Sequence, residues 1–159
     1  VTSPGEVVSL GASQGATLAV AESLTGGAVC SALVGVPGAS RVLVGGVVSY
    51  TVHAKHTLLG VPMDLLEGPG PVSEEVAIAM ASGIRERLGA DVGVSTTGVA
   101  GPEPHDGKAP GTVWVGVATA AGVHAQLLSL TGDRDSIRRS TVDHALDQAY
   151  AALSEVSHA

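Results

Sequence analysis

Phenylalanine is absent from this sequence, which carries only one Trp and two Tyr. Aromatic rings cannot fill the interior, so it must be built from small aliphatic residues, chiefly Val, Ala and Leu, that let elements pack closely. Cationic residues are few: 8 Lys and Arg stand against 15 Asp and Glu, a formal charge of −7, and no Lys/Arg block occurs. That balance argues against a nucleic-acid partner. It still permits an anionic small molecule held by backbone N–H groups and one or two cations. The single cysteine, Cys30, excludes an internal disulfide and a cysteine-based metal site. No apolar run approaches ~18 residues, and no basic region precedes an apolar stretch at the start, so a cytoplasmic protein without a membrane span is expected. Charged residues are 14% of the chain, against ~25% in ordinary soluble domains. This shortage leads us to expect a homodimer or higher homo-oligomer, with another subunit covering part of the surface.

At 159 residues the chain fits one domain, taken here as 1–159. Residues 6–15 carry apolar positions at helical spacing, and Gly15 ends them. Residues 16–21 read as a short buried strand, and 26–35 as a small-residue helix stopped by Pro37-Gly38. Residues 42–50 form a β-branched run open to a bulge at Gly45-Gly46. A helix over 53–59 ends at Gly60, and Ser73 caps a longer one running to Gly89. A strand over 91–97 leads into a Gly/Pro-rich loop ending at Gly111. Two strands, 112–119 and 123–130, then flank the hairpin signature Ala120-Ala121-Gly122. Asp133 caps a last helix over 134–154. Helices on both sides of the strands in this order predict a three-layer α/β/α domain with a mixed β-sheet.

Chemistry is concentrated at a few junctions. In Glu22-Ser23-Leu24-Thr25-Gly26-Gly27 a strand gives way to a helix through hydroxyls and glycines. Helix N-terminal N–H groups there can meet a phosphate, and the glycines admit close approach. Ser23 or Thr25 can donate to that phosphate, or one of them can be a nucleophile; the plainer alternative is an N-cap and a tight turn. Tyr50 ends a strand and Lys55 follows it. A lysine beside a serine activates it only if burial lowers its pKa from ~10.4, and most lysines are simply solvated. Ser95-Thr96-Thr97-Gly98 makes a second strand-to-loop junction that can face the first across a crevice. Gly132-Asp133-Arg134-Asp135-Ser136-Ile137-Arg138-Arg139 crowds arginines at a helix start, against the dipole, for ion pairing or for anchoring an anion. His53, His56, His105, His124, His144 and His158 show no metal-binding spacing, and no metal is expected.

Several separated segments together resemble one family. They are Ala21-Glu22-Ser23-Leu24-Thr25-Gly26-Gly27, Val36-Pro37-Gly38-Ala39-Ser40, Gly46-Val47-Val48-Ser49-Tyr50 with Ala54-Lys55, and Leu59-Gly60-Val61. Val72-Ser73-Glu74, Thr97-Gly98-Val99-Ala100-Gly101-Pro102, Gly111-Thr112-Val113-Trp114 and Gly132-Asp133-Arg134 complete the set. In this order they resemble the C-terminal domain of the competence/damage-inducible protein CinA, whose stand-alone versions are nicotinamide-nucleotide amidases. The likeness covers residues 5–153. It implies hydrolysis of nicotinamide mononucleotide to nicotinate mononucleotide and ammonia, no cofactor, a compact α/β domain and a dimer or larger assembly.

Carried over by position, the resemblance makes Ser23 the nucleophile and Lys55, with Tyr50 beside it, the activating group. Thr25, Gly26, Gly27, Thr97 and Gly98 would hold the nucleotide or the oxyanion. Arg138 or Arg139 would reach the phosphate, within the chain or across a subunit interface. Two departures fall in the loop expected to act as a lid: Glu103-Pro104-His105-Asp106-Gly107 where the family often adds a Gly-Gly pair, and Pro71 where a small residue is usual. The family's larger amino-terminal domain is not in this sequence, so that domain's nucleotide pyrophosphatase activity is not expected of it. The competing readings are an inactive nucleotide-binding or regulatory module and a purely structural interaction domain.

Overall fold

Helix α1 (Pro4–Gln14) starts at a capping box: Ser3 accepts from the Glu6 N–H, and the Glu6 side chain reaches back to the Ser3 N–H. Those two bonds start the helix earlier than its apolar spacing predicts. Gly11, which lowers helix propensity, is there because a side chain would collide with Val42. The computed structural model describes residues 1–157, so His158 lies outside the described residues.

Five strands form one mixed sheet in the order β2-β1-β3-β4-β5. Strands β1 (Leu18–Glu22), β2 (Leu43–Val48) and β3 (Val92–Gly98) are parallel, and β4 (Thr112–Thr119) and β5 (Gly122–Ser129) add an antiparallel hairpin. The register against β1 slips between Leu43 and Gly45, so the irregularity expected at the glycine pair falls at Val44 just before it. Successive side chains of β1 face opposite ways: Leu18 and Val20 enter one core, Ala19 and Ala21 the other.

The first core lies under α1, α2 (Ala28–Val34) and α6 (Arg134–Ser154), with Leu33, Ile137, Leu146 and Leu153 fully covered. The second lies under α5 (Glu74–Leu88), on which α3 (Val52–Leu59) and α4 (Met63–Glu67) pack. The three-layer α/β/α arrangement with a mixed sheet is therefore as expected. Helix α4 was not foreseen; it is a single short segment between Pro62 and Gly68. Close approach replaces aromatic bulk here. A side chain at Gly93 of β3 or Gly116 of β4 would strike the backbone carbonyls of Ala81 or Ala77 on α5, so that helix lies almost directly on the sheet.

From β1 the chain passes through α2 on one face to β2, then through α3–α5 on the other face to β3. The first crossover runs from β1 to β2, and the second returns from β2 across β1 to β3 on the opposite face. The elements after β1 and before β3 thus lie on different sides of the sheet, and a crevice forms at the carboxyl ends of β1 and β3. Ser23, the residues after Val48, and Thr97-Gly98 all arrive at that edge.

Candidate active site

The turn after β1 is anchored before any ligand is considered. The Ser23 N–H donates to the Thr96 carbonyl at 3.0 Å, and the Gly26 N–H returns to the Ser23 carbonyl at 3.1 Å. Gly26 and Gly27 take φ of 61° and 100°, a left-handed pair that side chains disfavour. Thr51 caps α3 by accepting from the Ala54 N–H at 3.1 Å. One turn on, Lys55 points back toward the sheet, only 2% exposed.

Lys55 Nζ lies 2.9 Å from Ser23 Oγ, 3.0 Å from the Ser49 carbonyl and 3.5 Å from the Tyr50 carbonyl. Removal from water penalises its charged form and lowers its pKa to about 8. When it is neutral, its two hydrogens match the two carbonyls and its lone pair is left for the Ser23 hydroxyl. A buried serine–lysine pair of this kind can deprotonate a nucleophile near neutral pH.

The cleft above the pair encloses about 560 Å³. Ser23, Tyr50, Lys55, Thr97 and Gly98 border it, with the 99–105 loop and Arg134 forming the far wall. Thr97 presents no free hydroxyl proton, because its Oγ1 donates to the Pro71 carbonyl at 2.6 Å. Tyr50 turns its backbone carbonyl to Lys55, whereas its hydroxyl accepts from Arg134 at 3.0 Å at the cleft mouth. Arg134 also donates to the Gly101 carbonyl, and no carboxylate among the described residues pairs with it.

Five residues expected at the ligand, Thr25, Gly26, Gly27, Arg138 and Arg139, are not among those bordering the cleft. Thr25 is fully buried and shares a 2.8 Å hydroxyl bond with Thr96. The helix N-terminus at Gly26-Gly27 is already filled by a carboxylate of the chain itself. Glu22, fully buried, accepts from the N–H groups of Gly27 at 3.1 Å and of Val29 and Cys30 at 3.0 Å. It meets the positive end of α2 where an external phosphate was expected. Arg138 lies behind the turn, giving Nε to the Leu24 carbonyl at 2.9 Å and a terminal nitrogen to the Thr25 carbonyl at 3.2 Å. Arg139 is turned to solvent beside Asp135 at 3.4 Å.

Glu22 was missed as a working residue, though a lone carboxylate closing an apolar strand just before a helix is a legible signal. Arg134 was seen only as part of an arginine cluster. Cys30 is no reactive thiol: burial and the neighbouring Glu22 carboxylate push it up to about 12.

Fold and site together define a three-layer α/β domain with a buried serine–lysine pair at the crevice beside its central strand. Residues 2–153 match the model of the CinA C-terminal domain, and the chain belongs to that family. A putative competence-damage inducible protein from Desulforamulus reducens is 48% identical over 135 residues, 85% of this chain and 33% of that protein. A CinA-like protein from Frankia casuarinae is 48% identical over 143 residues, 90% and 33% of the two chains. This chain thus spans 33% of the length of each of these relatives. A CinA superfamily protein from Klebsiella pneumoniae superposes with a TM-score of 0.92 at 30% identity, covering 96% of both chains. One from Escherichia coli gives 0.86 at 34% identity, over 90% of this chain and 86% of the other.

Proposed function

We propose that this domain is an amidohydrolase that converts nicotinamide mononucleotide to nicotinate mononucleotide and ammonia. The observation that carries the reading is the 2.9 Å contact between buried Lys55 Nζ and Ser23 Oγ on the floor of the cleft. Neutral Lys55 takes the hydroxyl proton as Ser23 Oγ bonds to the carboxamide carbon. The protonated amine then gives that proton to the nitrogen as the C–N bond breaks, releasing ammonia and leaving an ester on Ser23. Water attacks the ester, Lys55 takes its proton, and Ser23 Oγ departs with a proton from Lys55 to free the acid.

Arg134 supports the choice of an anionic substrate. It lies across the cleft mouth and, among the described residues, bonds only neutral oxygens of Tyr50 and Gly101, so its charge is available to a phosphate. The phosphate role first given to Arg138 or Arg139 therefore passes to Arg134 in this proposal. The test is ammonia release from nicotinamide mononucleotide. The wild type is expected to turn over, and Ser23→Ala to lose activity by about 10⁴-fold or more while keeping the wild-type melting temperature. A wild type that releases no ammonia at micromolar enzyme rejects the reading.

A further inference from the structure

We propose that the backbone N–H of Ala100 joins the guanidinium of Arg134 in one cradle for the phosphate monoester of the ligand. The inference rests on the phosphorylated substrate proposed above, though not on cleavage of its carboxamide.

Pairing around the end of β3 leaves this N–H unspent. The Val99 N–H donates to the Thr112 carbonyl at 2.9 Å, and the Val99 carbonyl accepts from the Gly111 N–H at 2.8 Å. Both polar groups of Val99 therefore face β4. In a planar trans peptide the C=O and N–H point in opposite directions. The Ala100 N–H shares its unit with the Val99 carbonyl, so it is turned away from β4, to the β1 side. No strand meets it there. The pairing of β1 with β3 runs out at Ser23, whose N–H takes the Thr96 carbonyl and whose own carbonyl turns back to the Gly26 N–H. The Ala100 N–H has no acceptor among the described residues. Ala100 is 6% exposed and borders the cleft, so an oxygen in the cleft can reach what the protein leaves unpaired. Unpaired N–H groups at such depth are costly and uncommon, and a ligand oxygen recovers the cost.

Arg134 reaches the same place from α6. Tyr50 follows β2 and Gly101 follows β3, and β1 lies between those two strands. A guanidinium that donates to both the Tyr50 hydroxyl and the Gly101 carbonyl therefore crosses over the end of β1, the side to which the Ala100 N–H is turned. Gly101 is also the next residue after Ala100, which keeps the two donors close enough to serve one phosphate. A fixed backbone N–H supplies direction, and the guanidinium supplies the charge. Glu103 is the one carboxylate bordering the cleft among the described residues; it is exposed at the rim, where water and salt screen it. Ser23 and Lys55 hold the floor. A phosphate gripped at Ala100 and Arg134 thus leaves the rest of the ligand to run inward toward Ser23.

The test reads binding rather than turnover. Ribose 5-phosphate carries the phosphate monoester without the carboxamide, and calorimetry reports its affinity for the whole chain. Lactic acid in place of Ala100, installed by nonsense suppression, exchanges the N–H for an ester oxygen and leaves the side chain as it is. That replacement should weaken ribose 5-phosphate about 10-fold, the worth of one hydrogen bond to a charged oxygen. Ala100→Pro, which also removes the N–H and keeps a Cβ, should weaken it at least as much with the melting temperature retained. In an Arg134→Met background, where the charge that seats the phosphate is gone, the lactic acid replacement should cost less than about threefold; this coupling is one that a merely structural role of Ala100 would not produce. Ribose 5-phosphate that does not bind wild type at about 10 mM, that binds both Ala100 variants as it binds wild type, or that loses equally with and without Arg134 overturns the proposal. Binding that depends on Ala100, in a wild type that releases no ammonia, would reject the amidase reading and leave this one standing.

Discussion

The turn from Glu22 to Gly27 has two sides that use charge in opposite ways. Toward the cleft stand Ser23 and Lys55, a hydroxyl and an amine bonded, among the described residues, only to each other and to backbone carbonyls. Toward α2 and α6 stand Glu22 and Arg138, each spending its polar atoms on the backbone of the turn. Glu22 is as buried as Ser23 and Lys55, and Arg138 is partly buried, so burial alone does not mark a reactive group. Glu22 and Arg138 hold the backbone of the turn and the start of α2, whereas Lys55, which faces the Ser23 hydroxyl and whose pKa burial lowers, can change protonation during a reaction.

The widest separation between the two sides should come from Lys55→Met. On the proposed mechanism it lowers turnover by at least about 10³-fold. It should also stabilise the fold at pH 7 by roughly 1–3 kcal/mol, because a buried ammonium gives way to an isosteric apolar chain. Activity and melting temperature moving in opposite directions would set the cleft side apart; a variant that melts earlier would contradict the account. The folded pKa of Lys55, about 8, lies below the value of 10.5 for the free group. Turnover therefore rises with pH through about 8 as the amine becomes neutral. Between about 8 and 10.5 the unfolded chain binds the extra proton, so Lys55's contribution to stability increases with pH there.

Glu22→Ala should do the reverse of Lys55→Met. It strips the acceptor from three N–H groups at the start of α2 and should cost roughly 2–4 kcal/mol, read by urea unfolding. A loss below about 0.5 kcal/mol would show that the carboxylate is not what holds the turn. Arg134→Met should raise KM for nicotinamide mononucleotide about 10- to 100-fold with kcat nearly unchanged, as for an anchor that grips ground and transition states alike. Arg139→Ala serves as its control, since an exposed i,i+4 pair with Asp135 is worth only about 0.3–0.5 kcal/mol. Equal effects of the two substitutions on KM would remove Arg134 from the site.

Much of this architecture was legible from local patterns. The Ser73 and Asp133 caps, the glycine stops at Gly15, Gly60 and Gly89, and the hairpin at Ala120-Ala121-Gly122 each act within a few residues. The site was legible as a set of segments but not as a set of bonds. Thr25 and Thr97 read alike, as hydroxyls near a glycine, yet one lies beneath the turn and the other borders the cleft. Of the three arginines of α6, the sequence reading gave the phosphate to Arg138 or Arg139 and no ligand role to Arg134. The turns of the helix send Arg134 to the cleft, Arg138 to the back of the Ser23 loop and Arg139 to water.

The sequence alone determined the order of elements, the small-residue core and the strand-to-helix junction that carries Ser23, because caps, breakers and periodicity are short-range. Only the tertiary structure decided which groups meet. Lys55 reaches a serine 32 residues away, and Arg138 a carbonyl 114 residues away. Those pairings depend on crossover direction, strand register and helix rotation, which no local window of residues encodes.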